Sequence, residues 1–151
     1  SSTSNARNKP LPVSGMPTGG ARPDLGTDQA YRLRHSDVAV LGRNNEASFQ
    51  VWSDTYGYPG DGDYREFHKR DEQSGLHYWK LTDKAFSLSA KHLYDPELAR
   101  EKALRHADHF SGLVERLTRE AAEAGAERPV LITCAFDTEL FGHWWFEGPT
   151  W

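Results

Sequence analysis

Near the carboxyl-terminal end, Asp137-Thr138-Glu139 is followed, after three intervening residues, by His143-Trp144-Trp145 and then by Glu147. Carboxyl groups can pass protons or attack an electrophilic carbon. Flat aromatic faces suit the apolar faces of pyranose rings, and carboxylate and imidazole groups suit their hydroxyls. The cluster therefore resembles a sugar site, with Asp137 well placed for catalysis. Arg43, Trp52, Tyr58 and Trp79 form a looser upstream set, several of them in polar or glycine-rich contexts. Taken singly, each has an ordinary reading that comes first. An Asp after an apolar run caps the next helix, Trp144 and Trp145 fill a core, and Tyr58-Pro59-Gly60-Asp61 is a turn. Other chemistries find no pattern. His106 and His109 stand three apart with no third ligand, which marks a helix edge rather than a metal site. His68 and His77 have no partner pattern, and there is no phosphate-binding glycine motif and no serine or cysteine triad signature. No metal and no cofactor are expected.

The elements that must position these residues follow from local pattern. Residues 1–35 are rich in Ser, Pro, Gly and Asn and read as a flexible, loop-like segment. The apolar run 36–42 ends at Gly42 and predicts a strand. Residues 47–53 alternate large and polar side chains, as an extended segment or a short helix would. Pro59-Gly60 suits the central positions of a type II turn. Residues 64–70 look like a short helical turn, and 78–81 could be a strand. The clearest element is a long helix. Asp95 is a good N-cap and Pro96 a good first residue. Ala103, Ala107, Phe110, Val114, Leu117, Ala121 and Ala124 then keep one apolar stripe, and Gly125 supplies a left-handed end. After a short turn, residues 129–136 are continuously apolar, as in a strand buried on both faces of a parallel α/β sheet. In such sheets the carboxyl ends of strands carry the active site, which is where Asp137 stands.

The stretch Phe136-Asp137-Thr138-Glu139-Leu140-Phe141-Gly142-His143-Trp144-Trp145-Phe146-Glu147-Gly148-Pro149 closely resembles the fourth conserved motif of glycoside hydrolase family 57, in its branching-enzyme type. Gln50-Val51-Trp52-Ser53, Gly57-Tyr58-Pro59-Gly60-Asp61 and Tyr64-Arg65-Glu66-Phe67 are similar to a loop region of the same enzymes, in the same order. The resemblance implies an α/β fold, a portion of an incomplete (β/α)7 barrel with a loop-rich insertion. Residues 36–151 would be a partial catalytic domain, truncated at both ends. Asp137 matches the family's general acid/base. In a retaining mechanism a second carboxylate, roughly 5 Å away, attacks the anomeric carbon. That Glu belongs to an earlier family motif that these residues do not contain, and Glu139 and Glu147 belong to the acid/base motif instead. The implied activity is transfer of α-1,4-glucan segments to form α-1,6 branches in a glycogen-like polymer. An α-amylase or 4-α-glucanotransferase of the same family is the alternative, and a non-catalytic glucan-binding relative is the second. The isolated chain is expected to be inactive. Tyr58 or Tyr56 would shield the glycosyl-enzyme from water and favour transfer. Arg43, Trp52, Trp79, His143, Trp144 and Trp145 are the candidates for lining the glucan groove, with His143 and Trp144 foremost because they follow Asp137.

Bulk properties narrow the partners. The formal net charge of −4 gives no electrostatic reason to bind nucleic acid. No apolar run is long enough to span a membrane, so none is expected as a partner. The single cysteine, Cys134, permits no internal disulfide, which fits a reducing cytoplasmic compartment.

Overall fold

The computed structural model describes residues 26–53, 55–125 and 129–151. Most of the expected loop-like segment therefore lies outside the described residues. Its last part departs from expectation, because Ala30–Arg32 forms strand β1. It pairs antiparallel with β2, Ala39–Leu41, placing Tyr31 opposite Val40. The apolar run at 36–42 thus supplies a strand, but a short one.

Helix α1 spans Asn45–Trp52, which decides between the two readings of that segment. Asn44 starts it, accepting the amide of Ala47 at 2.9 Å. Ala47, Ser48 and Val51 face inward. Phe49 and Trp52, three residues apart, are left outside together. Helix α2 spans Pro96–Glu123 as the sequence predicts. Asp95 Oδ1 accepts from the amides of Glu97 and Leu98 at 3.0 and 3.1 Å, and Gly125 takes φ +85 just past the end. Ala99, Ala103 and Leu113 are its buried residues, and Phe110 packs against the core beside them. The far end of the predicted stripe, Ala124, stays exposed. Arg116 ties the two helices by pairing with Glu46 across the gap and with Glu120 on its own helix at 3.0 Å.

Four local expectations fail. Tyr58–Gly60 is a single 3-10 turn, with Asp61 N bonded to Tyr58 O at 3.0 Å. A type II turn would need a positive φ at Gly60, and Gly60 does not have one. Residues 64–70 form no helical turn. Residues 64–66 pair with 79–81 instead, and the chain then bends at Phe67 and His68: Glu66 N bonds to Trp79 O and Leu81 N to Tyr64 O, at 2.9 and 2.7 Å. Residues 78–81 make only isolated bridges, Arg65 to Lys80 and Trp79 to Leu93. Finally, residues 129–136 are neither a paired strand nor buried on both faces. Leu131 is 42% exposed. Their ties to other segments include Leu131 N to Asp28 O and Asn44 N to Thr133 O. A doubly buried strand needs a strand on each edge and a layer on each face, and the described residues supply neither.

The core is small and aromatic. Val51, Tyr58, Tyr64, Ala99, Ala103, Leu140 and Trp145 are buried together, with Phe110, Phe136, Phe141 and Trp151 packed around them. It joins α1, α2, the 3-10 turn at Tyr58 and the motif that follows Asp137.

Candidate active site

Asp137 stands at the start of another 3-10 turn, Thr138–Leu140, and its side chain makes no capping bond there. The carboxyl is exposed and is not committed to the helix-cap role that an isolated Asp would suggest. Gly142, at φ +85, then reverses the chain. Trp145 N bonds to Leu140 O at 2.8 Å and Gly142 N to Trp145 O at 2.9 Å, closing a tight loop. The loop sends the two indoles in opposite directions. Trp145 is 1% exposed, whereas Trp144 is 50% exposed. Gly148 completes the packing, since a Cβ there would meet Phe141 Cδ1 at 2.9 Å.

Two clefts meet at Asp137. One, of about 450 Å³, is lined on one side by Asp137, Glu139, Leu140 and Trp144 and on the other by residues 65–69, Leu81 and Lys84, with Trp52 and Pro59 between. The other, a more open groove of about 640 Å³, is lined by Arg43, Asn45, Ser48, Phe49, Trp52, Ser53 and Asp137. Asp137 and Trp52 belong to both. A chain-like ligand could therefore pass the carboxyl with aromatic faces on either side.

The residues around the clefts are fixed by polar contacts at their backs. Glu147 is 5% exposed, and its Oε1 accepts the Arg65 amide at 3.1 Å. The Arg65 guanidinium lies over the rings of Tyr94 and Phe146 at 4.5 and 4.8 Å. Burial, and then its bond to Glu147, pushes the Tyr94 phenol up to about 12. Glu147 Oε1 thus helps dock the loop insertion. Asp63 accepts from Lys80 at 2.8 Å and pairs with Lys102 at 3.0 Å. These bonds hold its carboxyl below the usual range despite partial burial. Lys102 also reaches Asp61 at 3.4 Å, so the insertion is pinned to α2 by charge.

The structure sorts the candidates. Asp137, Trp52 and Trp144 share one cleft, and Arg43 lies on the adjoining groove. His143 is exposed and stacks edge-on to Phe67 at 5.6 Å, outside the cleft lining. Trp79 lies elsewhere, against Tyr78 at 5.9 Å and bridged to Leu93. It lines neither cleft. Trp145 cannot touch a ligand because its ring fills the core. Tyr58 is also corrected: it is 5% exposed, and its hydroxyl bonds to His109 Nδ1 at 2.7 Å. Burial raises its phenol to about 12. Its neighbour Pro59 faces the cleft, while Tyr58 faces α2. Tyr56, 59% exposed and 6.4 Å from Phe49 on the groove, is the accessible tyrosine of the pair. Sequence reasoning did not single out Phe67, His68 or Glu139 as cleft-lining. An aromatic in a loop with no period gives no sign of which way it faces.

No protein-family model matches the chain. Individual relatives do. It is 51% identical over 125 residues to the 1,4-alpha-glucan branching enzyme of Thermococcus kodakarensis, covering 83% of this chain and 18% of that enzyme. A crystal structure of a GH57 branching enzyme from the same organism superposes with a TM-score of 0.77 at 50% identity, over 85% of this chain and 23% of that one. The chain belongs to glycoside hydrolase family 57. Another solved structure, the alpha-amylase AmyC of Thermotoga maritima, superposes with a TM-score of 0.72 at 34% identity, covering 85% of this chain and 28% of that one. This family member therefore spans about a fifth to a quarter of the length of the relatives it matches. Its described residues form an α/β region with two helices and a small sheet. Among the described residues no helix is long and apolar enough to cross a membrane.

Proposed function

We propose that these residues are part of a retaining 1,4-α-glucan branching enzyme, with Asp137 as its general acid/base. The observation that carries the reading is an uncommitted, exposed carboxyl where two clefts meet, flanked by the exposed indoles of Trp52 and Trp144. Asp137 would protonate the departing glycosidic oxygen while the second carboxylate, from a family motif these residues lack, attacks the anomeric carbon. Asp137 would then deprotonate the acceptor. A glucan 6-hydroxyl as acceptor gives an α-1,6 branch, and water gives hydrolysis. Residues 36–151 would contribute part of an incomplete (β/α)7 barrel, with residues 129–136 as one of its strands once neighbouring strands flank them. The single free cysteine supports a reducing, cytoplasmic setting.

The test uses the full-length parent. Asp137→Asn should cut turnover on amylose by about 10²- to 10⁴-fold with the fold retained by circular dichroism. Near-normal turnover would remove Asp137 from the mechanism. The likeness to an alpha-amylase keeps hydrolysis as the second reading. Iodine staining and branch-chain analysis separate the two, since only branching leaves new α-1,6 linkages.

A further inference from the structure

The loop insertion contains a buried ion pair that acid/base chemistry at Asp137 does not use. Glu66 is 2% exposed and Lys91 6%, with Glu66 Oε2 2.7 Å from Lys91 Nζ. Glu66 Oε1 accepts the amides of His68 and Lys69 at 2.8 and 3.2 Å. Lys91 Nζ also donates to the carbonyls of Leu81 and Asp83, the latter at 2.8 Å. Every polar position of the pair is thus occupied, and three passes of the insertion are tied at one point. Adding more polypeptide around these residues could only bury the pair further, so its burial does not depend on how much of the parent is present.

A buried ion pair gives little net stability, because desolvation offsets most of the attraction. What this pair does fix is a shape. The carboxylate gathers the His68 and Lys69 amides and so sets the turn that carries Phe67. The Phe67 ring lies 4.5 Å from the Trp144 ring at 35°, and both line the Asp137 cleft. We infer that Glu66 and Lys91 are positioning residues that hold Phe67 as a pyranose-contacting ring on the cleft wall built by the insertion. The inference rests on the reading of the cleft as an α-glucan site.

Three variants of the full-length parent test it, with amylose as the probe. Phe67→Ala should raise KM about fivefold and leave kcat within about twofold, as loss of uniform binding does. The double variant Glu66→Leu, Lys91→Met removes both charges together, so it leaves no unpaired ion behind and should fold. It should nonetheless keep the raised KM, because leucine cannot gather the His68 and Lys69 amides. A pair that served stability alone would return a normal KM with the fold. Normal KM in either variant, a fall in kcat at unchanged KM, or a double variant that does not fold would each overturn the proposal. Asp137→Asn run alongside separates this result from the acid/base reading, which fails only if that variant stays active.

Discussion

Trp144 and Trp145 are identical side chains in adjacent positions, yet one is a surface ring and the other the centre of the core. The difference comes from Gly142, whose left-handed φ turns the chain between Asp137 and the two indoles. The same division separates the tyrosines of the upstream loop. Tyr58 →Ala should therefore act as a core truncation, costing about 3–5 kcal/mol through the cavity it leaves. Tyr56→Ala should leave stability within about 0.5 kcal/mol, as exposed positions do. If a loop tyrosine shields the glycosyl-enzyme, Tyr56 is the one placed to do it. In the full-length parent its alanine variant should lower the ratio of branching to hydrolysis, measured as α-1,6 linkages formed per reducing end released. An unchanged ratio would rule the role out.

At the scale of elements, the insertion is held against α2 by neutral and charged contacts together. The Tyr58 and Tyr64 hydroxyls bond to Nδ1 of His109 and His106 at 2.7 and 2.8 Å, and His106 stacks on Tyr58 at 4.6 Å. Burial pushes His106 below the usual imidazole value of 6.5, with Asp61 opposing and Lys102, His109 and Arg105 adding to the fall. The folded state thus favours the neutral ring, while the unfolded chain takes up a proton near 6.5. The stability linked to His106 is complete above that value and declines as pH falls below it. Asp63, held low by Lys80 and Lys102, adds a second loss only at more acid pH, below its unfolded value of 3.8. Amide exchange over residues 58–64 of the parent should therefore quicken between about pH 7 and pH 5.5, beyond its intrinsic pH dependence. His106→Gln should flatten that change. A slope unaltered by the substitution would mean that another group controls the docking.

At the scale of the molecule, one group of exposed apolar side chains lies on segments that have few partners. Val38, Val40 and Leu41 on or beside β2 and Leu131 on the extended segment are all more than 40% exposed. Among the described residues, strand β2 has a single partner and residues 129–136 have no ladder. These are the segments whose neighbours a larger α/β domain would supply. A retaining mechanism needs two carboxylates at a set spacing, so the isolated 151-residue chain is expected to leave amylose unbranched. Branch-chain analysis after prolonged incubation checks this, and any rise in α-1,6 linkages over a no-enzyme control would show that the chain holds both groups.

What the sequence by itself determined is what depends on near neighbours. Helix α2 was legible to its caps, because Asp95, Pro96 and Gly125 act within one turn and an apolar stripe repeats at helical spacing. The motif around Asp137 was legible as a motif because its rare residues are contiguous. Tertiary structure decided everything that depended on distant partners. Glu66 looks like any loop carboxylate until Lys91, twenty-five positions away in the sequence, is folded against it. The apolar run at 129–136 signals burial but cannot name what buries it. Which tryptophans and tyrosines face the cleft was set by Gly142 and by the packing of the 3-10 turn on α2, since periodicity gives a side chain's facing only where the backbone is regular.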